Sequence, residues 1–229
     1  MLDLKGYGWM LWDGLQVTLT VAVCAMALAM VMGLIGTWGK LSQSKVGRGA
    51  ANTYTTVIRG VPELLLILIV YYGTPTLIQG ILEDFGYDVI LDINPFLAGF
   101  ITIGFIYGAF STEVFRGAIL AVDRGQIEAA YASGMSRMLM ARRILLPQMW
   151  RFALPGLGNV WMVLIKATSL ISIIQLPELL RNADIAARAV RLPFTFYFAA
   201  SLMYLAITIV SMLGQQRLEA WAARGVRRV

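Results

Sequence analysis

Histidine is absent from this sequence of 229 residues, and cysteine occurs once, at Cys24. The first absence removes the commonest general base and a frequent metal ligand; the second excludes an internal disulfide. No set of candidate ligands has metal-site spacing. Charge is scarce as well: Asp, Glu, Lys and Arg make up 14% of the chain, while 59% of it is hydrophobic. So little polar surface does not coat a water-soluble globule, and the chain belongs in a bilayer. A GxxxxGK[ST] phosphate loop is missing, which excludes nucleotide hydrolysis of that kind by the chain itself. Without a Gly/Ser or Pro-rich linker, or a repeat of roughly 20 to 50 residues, the simplest division is one transmembrane domain over 1–229.

Apolar runs supply what is present. Five of them, at 14–38, 54–78, 95–120, 153–174 and 194–213, have about the 20 residues needed to cross a hydrocarbon core. In lipid each must be a helix, because only then are its N–H and C=O groups satisfied within the segment. The fold class is therefore an all-α membrane protein with five transmembrane helices. The opening residues carry two acids and one lysine rather than a basic signal-peptide region, so the first span is expected to be retained. Trp9, Trp12, Tyr71 and Tyr72 fit interface belts.

Topology follows from where most of the 19 basic residues fall. Lys40, Lys45, Arg48 and Arg59 lie in the first connection; Arg116, Arg124, Arg137, Arg142, Arg143 and Arg151 flank the third; Arg217, Arg224, Arg227 and Arg228 lie in the tail. The second connection is acidic, with Glu83, Asp84, Asp88 and Asp92, and the fourth is mixed. Positive residues stay inside, so the N-terminus is expected outside and the C-terminus in the cytoplasm. The basic residues form no continuous stripe, which argues against nucleic acid despite the net charge of +6.

The polar loop at about 121–152 holds EAAYASGMSRMLMARRILLP. Its composition predicts a short helix, a turn at Gly134 and a second helix closed by Pro147. Ile127, Ala130 and Tyr131 form an apolar stripe beside Glu128, which is expected to head and cap its helix or to bind a basic group on a partner. Glu128, Ala129, Ala130, Gly134, Ile144, Leu146 and Pro147 match the EAA motif at every fixed position and gap. Through them the chain resembles the permease subunits of bacterial ABC importers. RGVPELLLILIVYYG at 59–73 and IKATSLISII at 165–174 resemble polar amino acid permeases; GLIGTWGKLSQ at 33–43 and GFIYGAFSTEVFRGAILAV at 104–122 resemble the histidine/lysine-arginine-ornithine type.

That resemblance implies a type I ABC importer permease-like fold in the bacterial inner membrane, with the Glu128 loop as a coupling helix on an ATP-hydrolysing subunit dimer. ATP and Mg would be held by that dimer, and no cofactor by this chain. A periplasmic substrate-binding protein and a second permease subunit, a heterodimer favoured over a homodimer, complete the assembly. The substrate would be a polar, in particular basic, amino acid such as histidine, lysine, arginine or ornithine, or an opine.

Polar residues inside spans mark where such a substrate would pass. A lysine near the bilayer centre costs roughly 2.5 to 3.5 kcal/mol, so it faces a cavity or a partner. Lys166 stands roughly 20 Å into the fourth run. It either lines the path and meets a substrate carboxylate, with Thr168, Ser169 and Ser172 adding hydroxyls, or it snorkels or pairs within the bundle. Some relatives that carry basic amino acids have an acid after this lysine; Ala167 departs from that pattern. Glu63 with Arg59, and Glu113 with Arg116, have helical spacing for self-neutralising pairs, or the two carboxylates recognise a cationic substrate. Tyr71, Tyr72 and Tyr107 either line the path or pack. Gly33, Gly36, Gly104 and Gly108 mark close helix contacts, within the chain or across a seam. The stretch IAARAV in the fourth connection is expected as an interfacial helix or a solvated connector.

Two other classes compete with an ABC permease. An ion-gradient-driven secondary transporter would show inverted halves with broken segments, which are not visible. An intramembrane enzyme would have only Lys166 with Ser169 or Ser172 as a formal nucleophile and base.

Overall fold

The computed structural model describes residues 4–223. Arg224, Arg227 and Arg228, part of the charge asymmetry, lie outside them. Among the described residues every regular element is helical: α1 (Gly8–Leu41), α2 (Lys45–Gly60), α3 (Glu63–Leu68), α4 (Thr74–Asp84), α5 (Pro95–Leu120), α6 (Arg124–Ala132), α7 (Arg137–Met140), α8 (Leu146–Ala167), α9 (Leu179–Val190) and α10 (Pro193–Ala222). A π-helical turn, Ile69–Gly73, joins α3 to α4; another, Ala141–Leu145, joins α7 to α8; a 3₁₀ segment, Thr168–Ile174, extends α8.

Five units are long and apolar enough to cross a membrane: Gly8–Leu41, Glu63–Asp84, Pro95–Leu120, Arg137–Ile174 and Pro193–Ala222. The run at 95–120 has the expected bounds. The first, fourth and fifth helices extend past theirs, because hydropathy marks the apolar middle of a helix while its backbone continues into polar ends. The expected second run, 54–78, is divided. Val61 and Pro62 are extended, with ψ of 137° and 132°, so α2 ends at Gly60 and the span begins at Glu63. Proline has no N–H to continue the ladder and forces the residue before it out of the helical region. Tyr54 accordingly belongs to α2 and not to a span.

The centre of the bundle is the packing of α1 on α5, and small side chains make it possible. Ala22, Ala25 and Ala29 are fully buried on α1. A Cβ at Gly33 would come within 2.6 Å of the Ser111 Cβ, and one at Gly104 within 2.8 Å of Leu28. Gly108 faces Met32 and the Tyr54 hydroxyl, and Gly36 faces Thr112. These glycines therefore serve packing within the chain, and Gly104 and Gly108 leave no seam for another copy. Thr37 adds a hydrogen bond to the Thr112 carbonyl at 2.9 Å. Gly36→Val is expected to cost about 3 kcal/mol, since overpacking a closed contact forces the backbones apart. A melting temperature in detergent unchanged by Gly36→Val would contradict this contact.

The connection after the fourth span does not lie on the surface. α9 packs between α1 and α10, burying Leu179, Asn182, Ala183, Ala186 and Ala187. The alanines in IAARAV give close approach rather than a lipid-facing stripe, and Asn182 donates to the Met10 carbonyl at 2.8 Å. Gly14 completes the fit, because a Cβ there would meet the Glu178 carbonyl oxygen at 2.9 Å.

Candidate functional site

The loop of 121–152 folds as a hairpin whose bend is set by hydrogen bonding. Asp123 caps α6 by accepting from the Gly125 N–H at 2.6 Å. Glu128 is thus in the middle of α6 and not at its head, as expected from sequence; the shorter Asp123 side chain reaches the first free N–H groups better. Ala130 is buried, Ile127 is half-buried, and Glu128, Ala129 and Tyr131 are exposed. At the other end of α6, Gly134 has φ of +78°. Its N–H donates to the Tyr131 carbonyl at 2.9 Å, and the Met135 N–H donates to the Ala130 carbonyl at 3.1 Å. Those paired bonds, around a left-handed residue that glycine alone adopts without penalty, make a Schellman stop.

Ser136 then caps α7, its hydroxyl accepting from the Leu139 N–H at 3.3 Å. Pro147 does not close this second helix; it sits in the first turn of α8. The π-helical turn before it removes the need for a regular donor there, so the chain runs on into the span. Ile144 is half-buried and Leu146 exposed. Gln148 ties the start of α8 to α6 by donating to Gln126 at 2.6 Å.

The in-span polar residues separate into two groups. Glu63 accepts from the buried Tyr107 hydroxyl at 3.1 and 3.2 Å. It does not pair with Arg59, because the break at Pro62 cancels the helical spacing; the Arg59 guanidinium lies 5.1 Å from the Phe110 ring centre instead. Tyr71 and Tyr72 lie edge to face in the π-helical turn, and the Tyr72 hydroxyl reaches the Ile173 carbonyl at 3.5 Å. That contact brings the second span to the C-terminal end of the fourth, beside Ser172. Lys166 is exposed, and among the described residues no ion pair includes it. Thr168 and Ser169 spend their hydroxyls on the carbonyls of Ile165 and Lys166, at 2.6 and 2.7 Å.

Glu113 belongs elsewhere. It holds the expected partner Arg116 at 2.9 Å and also pairs with Lys40 of α1. Sequence reasoning missed Lys40, whose only signal was a lysine at the end of a span with no acid nearby in the chain.

It also missed Glu178, which is fully buried where α1, α9 and α10 meet. Its carboxylate accepts from the N–H groups of Leu180 and Arg181 at 2.9 and 2.7 Å, and from the hydroxyls of Tyr204 and Thr18 at 3.2 and 3.4 Å. Burial pushes its pKa from 4.5 up to about 7, against the opposing pull of these donors. The segment around it looked like an exposed connector, so nothing in its pattern marked a buried acid. Nearby Asp184 accepts from the Tyr197 hydroxyl at 2.7 Å and from Arg188 at 3.0 Å, and these hydrogen bonds hold its carboxyl below the usual range. With Ser172 and Arg181 these groups border a cavity of 430 Å³ at the end of the fourth span.

Five membrane-spanning helices with an exposed hairpin between the third and fourth define a multi-pass transport component of the type I ABC importer permease fold. The chain belongs to the family described as "Binding-protein-dependent transport system inner membrane component", whose model matches residues 17–224. It is similar to the octopine transport system permease protein OccQ of Rhizobium meliloti, with 43% identity over 99% of this chain and 98% of that protein. It is also similar to the histidine/lysine/arginine/ornithine transport system permease protein HisQ of Escherichia coli, with 44% identity over 91% of each. Among solved structures, an amino acid ABC transporter has a chain with a TM-score of 0.82 and 30% identity, covering 96% of this chain and 97% of that one. A chain of the MetNI methionine ABC transporter shares the fold at a TM-score of 0.75 and 15% identity, covering 95% of this chain and 98% of that one. Members of this family work with a separate ATPase and a substrate-binding protein, and the bond chemistry is the ATPase's.

Proposed function

We propose that this chain is the permease subunit of an ATP-driven importer for basic amino acids or opines in a bacterial inner membrane, with its N-terminus outside and its C-terminus and 121–152 hairpin in the cytoplasm. The observation that carries this reading is the hairpin itself. Its Schellman stop at Gly134 fixes the angle between α6 and α7 while Glu128, Ala129 and Tyr131 stay exposed, which is what a docking element needs. The partner ATPase binds ATP and Mg; its closure moves the hairpins of two permease subunits together and shifts the bundle between outward and inward access. The second subunit is a sister permease in this reading.

The hairpin assignment is tested by cross-linking. In a Cys24→Ser background, Ser133→Cys labelled with benzophenone maleimide is expected, on irradiation, to form a covalent adduct with the ATPase in membranes carrying the whole assembly. A cysteine at Thr76, far along the chain in the second span, gives none. Adducts absent from Ser133→Cys would sink the assignment.

For the path, the groups we favour are Glu63 on Tyr107, Tyr72, the exposed Lys166 and Ser172. A carboxylate held by a phenol, and in no ion pair among the described residues, suits a guanidinium or ammonium, and a lysine suits a carboxylate. Thr168 and Ser169 support the helix end in this scheme, and Glu113 locks α1 to α5. Glu63→Gln is expected to raise the KM for a cationic substrate about tenfold, the loss of one charge-assisted hydrogen bond. An unchanged KM would remove Glu63 from the path.

A further inference from the structure

We propose that the groove between α1, α8 and α10, at the end of the bundle that carries the 124–140 hairpin, binds one phosphatidylethanolamine molecule. An acyl chain fills the groove, and the zwitterionic headgroup is held at its mouth by Arg151 and Glu219.

The groove encloses 330 Å³ between helices, and its walls are apolar along Met26, Met30, Leu154 and Leu157. At its deep end the Trp161 Nε1–H is already engaged, donating to the Ser211 hydroxyl at 3.0 Å. From Arg151 to Trp161, α8 rises roughly 15 Å at about 1.5 Å per residue. That is close to half of a hydrocarbon core of roughly 30 Å, the depth of one leaflet. Gly214 lines the groove, and a Cβ there would meet no atom within 4 Å, so the space is open. Gly158, across from it, is instead covered by the Gln215 side chain.

The mouth has different chemistry. Trp150 and Leu154 also border a second hollow of 370 Å³ that takes in Arg151 and Trp221. Two tryptophans at this level suit the headgroup boundary. Arg151 lies over the Phe152 ring, 5.8 Å from its centre, and no carboxylate pairs with it among the described residues. Glu219 accepts from the Gln215 amide at 2.7 Å through one oxygen, and among the described residues it is in no ion pair. The groove beside Glu219 and the hollow beside Arg151 share Trp150 and Leu154, so opposite charges stand at adjoining openings. A guanidinium matches a phosphate and a carboxylate matches a primary ammonium, so the pair fits a headgroup that carries both. Phosphatidylglycerol offers Glu219 no cation, and the choline of phosphatidylcholine cannot donate to it.

Native mass spectrometry tests this on the assembled complex, released into mild detergent after exchange with equal amounts of 1-palmitoyl-2-oleoyl phosphatidylethanolamine, phosphatidylcholine and phosphatidylglycerol. One phosphatidylethanolamine is expected to stay on each copy of this chain. Gly214→Phe, which plugs the groove, is expected to lower its retention at least tenfold. Arg151→Gln and Glu219→Gln, at the mouth, are each expected to lower it at least threefold, and they decide the matter if Gly214→Phe does not fold. Equal retention of the three lipids, or none because another subunit covers the groove, would overturn the proposal. So would mouth variants that retain phosphatidylethanolamine as the native chain does.

Discussion

Gly134→Val is expected to leave the chain inserted and folded while uptake falls at least tenfold and less ATPase copurifies. A Cβ at this position meets nothing within 4 Å, so lost packing is not the cause. The cause is the backbone: φ of +78° costs an L-residue about 1 to 2 kcal/mol, and a β-branched one more. The hairpin relieves that strain by opening the Schellman bonds at Tyr131 and Ala130, which swings α7 relative to α6. Folding survives because the spans do not depend on this turn. On the proposed reading docking does not, because a misdirected helix would no longer fit the ATPase. Gly134→Asn, a residue that enters the left-handed region more readily, is expected to fall between the two. Equal uptake by the valine variant and the native chain would show that the bend angle has no part in coupling.

A second large effect is expected at Glu178, read as melting temperature in detergent. Glu178→Ala strands the N–H groups of Leu180 and Arg181 and takes an acceptor from the hydroxyls of Tyr204 and Thr18. With buried donors each costing about 1 to 3 kcal/mol when unpaired, a total loss of about 3 kcal/mol or more is expected. Glu178→Gln keeps an acceptor and loses less. The pH dependence has a definite sign. Burial raises the folded pKa to about 7, above the ordinary 4.5, so the folded state holds the proton more tightly than the unfolded one. Stability from this group is therefore complete below pH 4.5 and is lost as pH rises through about 7. The native chain should melt lower at pH 8 than at pH 5, and Glu178→Gln should remove that part of the difference. A native pH profile matching that of Glu178→Gln would rule out titration of this carboxyl.

How much of this was legible in the sequence depended on the range of the interaction involved. The five spans were visible because each is a local excess of apolar residues, and the turn at Gly134 because one residue type marks it. Motif and spacing also carried the family. Contacts between distant parts of the chain left no such trace. Lys40 and Glu113 meet only because α1 packs on α5, and Glu178 is buried only because alanines let α9 sink between two spans. Where local reading failed, backbone chemistry usually explains it: Pro62 splits a run that is continuous in hydropathy, and Asp123 takes the cap expected of Glu128. A π-helical turn made Pro147 an entry to α8 where proline alone suggested an end.

The most direct test of the whole account is uptake into proteoliposomes containing this chain, the proposed sister permease and the external binding protein, with and without the ATPase and internal ATP. Accumulation of a labelled basic amino acid or opine only when ATPase and ATP are both present, abolished by vanadate, is the predicted result. Accumulation that persists without the ATPase, driven by an imposed ion gradient, would contradict it.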